Sequence, residues 1–462
     1  MAMDPRMGAF DAVMYDVEDD PILRSVIVML TELDAPPDAG RLQYRIDRLT
    51  RLVPKLRQRV VGNPLSLVPP RWETDPNFDL GYHVREELLP PGGNDHDSLM
   101  ARVAGWAERD FDQARPLWEI ILFTGLAEGG AAVSIKLHHS ITDGVGGLQL
   151  AAAMLDLTAD ADDPTDMPDG PEGHAADWSD RLEQGAAFSA RSLLSDGVGA
   201  TKKLFAGARA TVADPLGSLL TGQEFVASAT RVLAPASTPL SPVMTGRSLS
   251  VRFTDLCIPF DGLKAAGKAA GGTVNDAFVA AALGGMLAYH REHGEVPPEL
   301  RVHMPVNRRA PGDTGGGNRW IPARFPLPLN EEDAGRRIRQ LSPLLKQAKE
   351  EPALAVSDQV YKVLMSLPRP ITTRIAGGLM KGTDLVVTNV PGPPFEVYLA
   401  GAKVTRMIPL APKGGAAVNI AFMTYNGNAE IGINIDTEAV PDPDELTACL
   451  QAGFDEVVAS AD

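Results

Sequence analysis

The chain has 462 residues, 44% of them hydrophobic and 22% charged, enough for ordinary globular cores and, at about 150 residues per domain, for two to three domains. A formal net charge of −17 excludes a general nucleic-acid binder, because phosphate contact needs a basic surface. Only two cysteines occur, Cys257 and Cys449, neither in a CxxC pair nor beside a histidine cluster, so the sequence argues against a disulfide framework and a zinc site and both read as small buried apolar residues.

The opening Met1-Ala2-Met3-Asp4-Pro5-Arg6 lacks the charged and apolar regions of a signal peptide. Ser25 to Leu33 is β-branched and apolar and predicts a strand, and Leu42, Ile46, Leu49 and Leu52 recur at helical spacing over 41–52. Strand signals return at Trp118–Phe123 and Ala131–Leu137, followed by a helix over Gly144–Leu157 whose face carries Val145, Leu148, Ala152 and Leu155. Residues 156–177, rich in Asp, Pro and Gly, read as a flexible linker. From Trp178 to about Leu233 the pattern is weakly helical, with Leu193, Leu194, Leu204 and Phe205 near Lys202, Lys203 and Arg209; it reads as a helical crossover, or as a flap that meets lipid. Further strands are predicted at Val251–Phe253, Leu300–Val306, Arg324–Leu329, Thr383–Asn389, Asn419–Tyr425 and Glu430–Asp436, with helices at Asn275–Tyr289 and Asp444–Val457. The longest apolar stretch, Ala277–Tyr289, falls short of the roughly 20 residues that span a bilayer, so a cytoplasmic, non-spanning protein is expected. The pattern divides into 1–157, a linker and crossover at 158–247, and 248–462, each end part mixing strands and helices (α/β, with mixed sheets).

Chemistry concentrates in His138-His139-Ser140-Ile141-Thr142-Asp143-Gly144, at a strand-to-helix junction. A neutral imidazole near pH 7 can take the proton of an attacking hydroxyl or amine, provided a carboxylate or carbonyl fixes its tautomer and direction. Adjacent strand residues point to opposite faces, so only one histidine enters a given cavity. His139 is assigned to the chemistry and His138 to packing and hydrogen bonding beside it. Other readings are a metal site, disfavoured because adjacent histidines splay and no HExxH spacing is present; a purely structural pair; and a Ser-His-Asp hydrolase, disfavoured by the lack of a GxSxG elbow.

The HHxxxDG run resembles the active-site motif of the CoA-dependent acyltransferase superfamily, which includes chloramphenicol acetyltransferase and peptide-synthetase condensation domains. Arg71-Trp72 with Asp75, Phe78-Asp79-Leu80 and His83-Val84-Arg85, then Arg115-Pro116-Leu117-Trp118-Glu119, Val274-Asn275-Asp276, Met304-Pro305-Val306-Asn307-Arg308-Arg309, Gly317-Asn318 and Thr388-Asn389-Val390-Pro391-Gly392-Pro393 resemble the ordered elements of the bacterial wax ester synthase/diacylglycerol acyltransferase family over roughly residues 8–455. The opening Met7-Gly8-Ala9-Phe10-Asp11 and the Trp320-Ile321-Pro322 run depart from the family pattern and bear on acceptor and chain-length preference.

The resemblance implies two chloramphenicol-acetyltransferase-like subdomains with the site between them. It implies acyl-CoA as co-substrate, no bound cofactor or metal, and a fatty alcohol or diacylglycerol as acceptor, with direct attack on the thioester and no acyl-enzyme. His139 would be the general base and Asn275 an oxyanion donor, unless Asn275 merely N-caps its helix. Asp143 would hold the turn by pairing with an arginine, Arg308 being one partner, while Gly144, Asn389 and Gly392 would shape the substrate site. A peripheral contact with the inner membrane or lipid droplets, through the 178–233 helices, is a further expectation. A relative acylating another lipid or polyketide alcohol, and a non-catalytic lipid-binding protein on the same fold, are the alternatives.

Overall fold

The computed structural model describes residues 6–62, 69–142, 144–171, 238–307, 320–350, 361, 364 and 369–461. In chain order, helix α1 (Ala9–Asp16) precedes β1 (Val26–Leu33), α2 (Ala39–Leu52), the hairpin β2 (Gln58–Val61) and β3 (Arg71–Thr74), α3 (Leu80–His83), β4 (Val84–Leu88), α4 (His96–Ala107), β5 (Trp118–Thr124), β6 (Ala131–His138), α5 (Gly144–Ala152) and β7 (Leu155–Asp156). After the crossover come β8 (Val251–Pro259), α6 (Phe260–Ala269), α7 (Val274–Glu292), β9 (Glu299–Asn307), β10 (Trp320–Pro328) and α8 (Ala334–Lys349). The chain continues through α9 (Arg369–Met380), β11 (Leu385–Val390), β12 (Tyr398–Leu399), β13 (Ala402–Leu410), β14 (Val418–Tyr425), β15 (Asn428–Asp436) and α10 (Pro443–Ala459).

Two mixed sheets result, ordered β4-β5-β6-β1-β13-β12-β7 and β10-β9-β11-β14-β15-β8. The first sheet is not built from the first half of the sequence alone. Strand β13 crosses back and pairs antiparallel with β1, from Val28↔Leu410 to Leu33↔Val404, and β12 then pairs with β7. Strand β13 carries no clear sequence signal, because Pro409 argues against an interior strand; β12 has ended by Lys403, so at Pro409 the strand is paired on one side only, where a missing N–H is tolerated.

Helix α7 anchors the second sheet. Its N-cap is Thr273, in a reciprocal capping box with Asp276, so the N-capping role considered for Asn275 is corrected: Asn275 lies inside the first turn. The helix is buried nearly all round, and small residues at Ala281 and Gly285 let α10 nest against it. A Cβ on Gly285 would lie 2.5 Å from the Leu450 Cα, and one on Gly453 2.5 Å from the Ala281 carbonyl oxygen, distances that only glycine permits. The two sheets touch in the same manner: a Cβ on Gly432 of β15 would lie 1.9 Å from the Pro409 carbonyl oxygen of β13.

Three further readings change. The helix predicted over 144–157 ends at Ala152, because Arg45 of α2 captures the Met154 carbonyl (3.1 Å) and the Asp156 carboxylate (2.5 Å), drawing the chain out to pair with β12. Of the stretch read as a flexible linker, 156–177, the described part ends at 171 and is docked along α2: Asp163 meets Arg41 (2.9 Å) and Arg45 (2.6 Å), Asp166 meets Arg48 (3.0 Å), and the Tyr44 hydroxyl donates to the Pro164 carbonyl (2.7 Å). An acidic, proline-bearing segment thus complements arginines that helical spacing gathers on one face. Cys257 is exposed on β8 rather than buried, and Cys449 is half-buried. The predicted 178–233 crossover lies outside the described residues.

Candidate active site

Strand β6 ends at His138, and its neighbour His139 continues the pairing by donating its backbone N–H to the Ser25 carbonyl (2.8 Å). The side chains diverge. His138 is 1% exposed, with its ring edge-on to Tyr15 and Phe111. Its Nδ1 accepts from the Ser140 backbone N–H (3.0 Å) and lies 2.7 Å from the Ser140 hydroxyl, so the neutral ring carries its proton on Nε2. That nitrogen faces the Glu18 carboxylate at 3.0 Å, off the line of a good hydrogen bond. Glu18 also accepts from the Ser25 N–H (2.5 Å) and so ties the ring to the residue that receives the His139 amide.

The turn after the histidines is held from outside. Lys55 donates to the Ser140 and Ile141 carbonyls (both 3.2 Å), approaches Asp11 (3.7 Å) and lies over the Trp72 ring (5.0 Å). Below, Trp118 stacks on His83 with ring centroids 4.4 Å apart, donates from Nε1 to the Leu56 carbonyl (2.7 Å), and accepts at its own carbonyl from His83 Nδ1 (2.7 Å). The tryptophan-bearing elements of the sequence are therefore the foundation of the turn.

His139 lines a cavity of about 190 Å³ between the two sheets, bounded by β1 and β6 on one side, by β9, β11 and β14 on the other, and by the 411–414 connection after β13. The walls are largely apolar, through Met29, Ile135, Leu137, Val386, Val390 and Met423. Polar side chains enter at Ser25, His139, Thr142, His303, Thr388, Asn389, Lys413 and Asn419. Lys413 is occupied, donating to the Ser248 and Ser250 carbonyls and to Asp436 (3.1, 3.0 and 2.9 Å). Burial, with the Arg324 charge nearby, pushes His303 down to about 4, so its ring is neutral at physiological pH.

The sequence-derived residues distribute unevenly. His139 and Asn389 line the cavity, His138 backs it, and Gly144 opens α5. Gly392 does not line it; its N–H donates to the Thr424 hydroxyl (2.9 Å), and a Cβ there would lie 2.0 Å from the Thr424 carbonyl oxygen, so glycine is required for close packing on β14. Asn275 does not line it either. Its amide is 3.9 Å from Met304 Sδ, and Met304 alternates to the helix-covered face of β9, opposite to His303. Its neighbour Asp276 caps α7 and accepts from the Ser342 hydroxyl (3.0 Å). Asp143 and Arg308 lie outside the described residues. Glu18, Lys55, His303 and Asn419 are structural findings; their only sequence signal is polarity, with nothing in the sequence to name a partner.

Comparison with known proteins places this site in context. Residues 7–278 match the wax ester synthase/diacylglycerol acyltransferase catalytic domain, and residues 316–457 match the WS/DGAT C-terminal domain. A Mycobacterium tuberculosis (strain H37Rv) protein assigned as a diacylglycerol O-acyltransferase is 32% identical over 98% of this chain and 92% of its own length. A second from the same strain, tgs1, is 27% identical over 98% and 96%. Among solved structures, the wax ester synthase/diacylglycerol acyltransferase from Marinobacter aquaeolei VT8 superposes with a TM-score of 0.61 at 21% identity, covering 99% of both chains. The first condensation domain of the calcium-dependent antibiotic synthetase does so with a TM-score of 0.60 at 15% identity, covering 99% of this chain and 96% of its own. At these identities the superpositions establish the two-subdomain mixed α/β fold.

Proposed function

The chain belongs to the wax ester synthase/diacylglycerol acyltransferase family and is an O-acyltransferase, and from that premise we propose that it moves a long-chain acyl group from acyl-CoA to a fatty alcohol or diacylglycerol, with His139 as general base. The observation that carries this reading is a histidine presented by β6 into a largely apolar cavity walled by both sheets. The neutral imidazole takes the proton of the acceptor hydroxyl as its oxygen attacks the thioester carbonyl carbon. Collapse of the tetrahedral intermediate breaks the carbon–sulfur bond, and the imidazolium returns its proton to the leaving CoA thiolate. The products are an ester and free CoA, with no acyl-enzyme. Apolar walls exclude water that would otherwise hydrolyse the thioester, and confinement of both substrates supplies proximity.

His138, Glu18 and Lys55 act on geometry rather than on substrate: they hold the strand end and the turn from which His139 projects. Among the described residues no helix is long and apolar enough to cross a membrane, so in this reading lipid substrates reach the cavity from a surface.

The test is release of CoA from palmitoyl-CoA, with and without hexadecanol or dioleoylglycerol. Acceptor-dependent release is expected from the wild type, with a loss on the order of 10²–10⁴ in His139→Ala at an unchanged melting temperature. Comparable turnover in a folded His139→Ala protein would remove the assignment, and a wild type that releases no CoA with any acceptor would remove the enzyme reading.

A further inference from the structure

One row of residues runs straight across the second sheet. His303 of β9, Val386 of β11, Asn419 of β14 and Asn434 of β15 are register partners in turn. Register partners project to the same face. Their neighbours Val302, Leu385, Val418 and Ile433 are buried in the core under α7, so the row faces away from the helices. Three members line the cavity of His139. The fourth, Asn434, lines a smaller cavity of about 60 Å³ that shares Pro412 and Lys413 with the first. The row therefore links two cavities beneath the connection between β13 and β14.

Its polar atoms are incompletely used. Asn419 donates from Nδ2 to the Pro412 carbonyl (2.7 Å), and Asn434 from Nδ2 to the Ala411 carbonyl (2.9 Å). Each bond fixes its amide, since a carbonyl accepts only from the NH₂ end. Each thereby leaves its Oδ1 buried without a partner, and His303 Nε2 is unpartnered too. Buried side-chain polar atoms are normally paired, and three exceptions on one register row that passes along two adjoining cavities mark a place kept for a ligand. The two amide oxygens can only accept, so the ligand must present two N–H or O–H donors. Register partners on antiparallel strands lie about 4.5–5.5 Å apart. A simple fatty alcohol has one hydroxyl, which His139 engages, and a diacylglycerol likewise has one. The pantetheine arm of acyl-CoA carries two amide N–H groups joined through its β-alanine unit, with nitrogens four covalent bonds apart, a reach of about 5 Å when extended.

We propose that Asn419 and Asn434 seat the pantetheine arm of the acyl donor by accepting its two amide N–H groups, with His303 further along the row at the thioester end. This rests on the acyltransferase reading and extends it to residues outside the histidine motif. The arm runs from the small cavity, past Asn434 and Asn419, into the cavity where His139 meets the acceptor. The asparagines are positioning residues: they align the thioester and take no part in proton transfer.

The experiment is isothermal titration of palmitoyl-CoA, and separately of dioleoylglycerol in detergent micelles, into the wild type and the Asn419→Leu, Asn434→Leu and His303→Leu proteins, with melting curves for each. Palmitoyl-CoA binding should weaken about tenfold in each asparagine variant, while dioleoylglycerol binding is unchanged. Should the leucine variants fail to fold, Asn434→Asp, which keeps an acceptor, should bind palmitoyl-CoA better than Asn434→Ala. In turnover, KM for palmitoyl-CoA should rise more than kcat falls. Unchanged palmitoyl-CoA affinity in folded variants, or parity of Asn434→Asp with Asn434→Ala, would overturn the proposal with the acyltransferase reading intact. Weakened dioleoylglycerol binding alone would overturn it in favour of an acceptor-hydroxyl subsite. A wild type that binds no palmitoyl-CoA would overturn both.

Discussion

His96, the first residue of α4, bridges the two sheets, and replacing it with glutamine tests how they are joined. Its Nδ1 is 2.7 Å from Glu32 on β1 and its Nε2 2.6 Å from Asp255 on β8. Hydrogen bonds to Asp255 and Glu32 lift the ring to about 10 from an ordinary 6.5, against the opposing effect of burial. The folded protein thus keeps this proton where the unfolded chain loses it, so the contribution is complete below pH 6.5 and disappears as pH rises through about 10. At about 1.4 kcal/mol per pH unit the displacement has a ceiling of about 5 kcal/mol. The side chain is 37% exposed, and solvent-screened pairs give about 0.2–1 kcal/mol each, so two pairs place the realistic value at about 0.4–2 kcal/mol. Lys136 acts oppositely: burial holds it down at about 8, so its share of stability grows from pH 8 towards 10.5. On these two groups alone, wild-type stability should fall from pH 6.5 to 8 and rise less steeply above it than that of His96→Gln, which should be flat and then rise. For a chain of this length the midpoint moves roughly 1–2 °C per kcal/mol, so His96→Gln should melt about 2 °C below wild type at pH 6 and level with it at pH 10. Scanning calorimetry at a fixed rate across that range is the measurement. An offset of equal size at pH 6 and pH 10 would refute the charge argument and assign the effect to packing.

Three other perturbations separate the parts of the site. Glu18→Gln keeps an acceptor beside His138 but removes its charge, and should lower kcat about tenfold with little change in KM for palmitoyl-CoA; an unchanged kcat would dismiss Glu18 as a positioning group. Lys55→Met preserves the stem over Trp72 but frees the Ser140 and Ile141 carbonyls, and should cost about 1.5–3 kcal/mol in chemical denaturation together with turnover; wild-type denaturation would contradict its role. Gly432→Val forces β13 and β15 apart and should destabilise by about 3 kcal/mol or more, read as lost soluble yield and a lowered melting point.

Reading from sequence succeeded where chemistry and periodicity are local. Strand β1, helix α2, strands β5, β6, β14 and β15 and helix α10 each bear one uninterrupted period, and the structure places them within a few residues of the expected bounds. The histidine run was legible because its residue types are rare together. What could not be read is long-range. Strand β13 hides behind Pro409 and depends on β1, hundreds of residues earlier, for its pairing. The 161–168 strap looks like a linker in composition, since the arginines that hold it belong to α2. The Asn419 and Asn434 row is invisible because register across four strands is a property of the folded sheet, whereas Asn275 attracted attention by lying in a recognisable element that turns out to cap and pack.

The return of β13 also sets an order of events during synthesis. Until residues 402–410 leave the ribosome, β1 has β6 on one side and a bare edge on the other. At about 5–20 residues per second, the interval between emergence of β1 and of its missing partner is on the order of half a minute. For that time the nascent chain exposes an apolar edge, Val26-Ile27-Val28-Met29-Leu30, open to pairing with any other extended segment. A C-terminally truncated product would carry that edge permanently, and aggregation rather than partial activity is its expected fate.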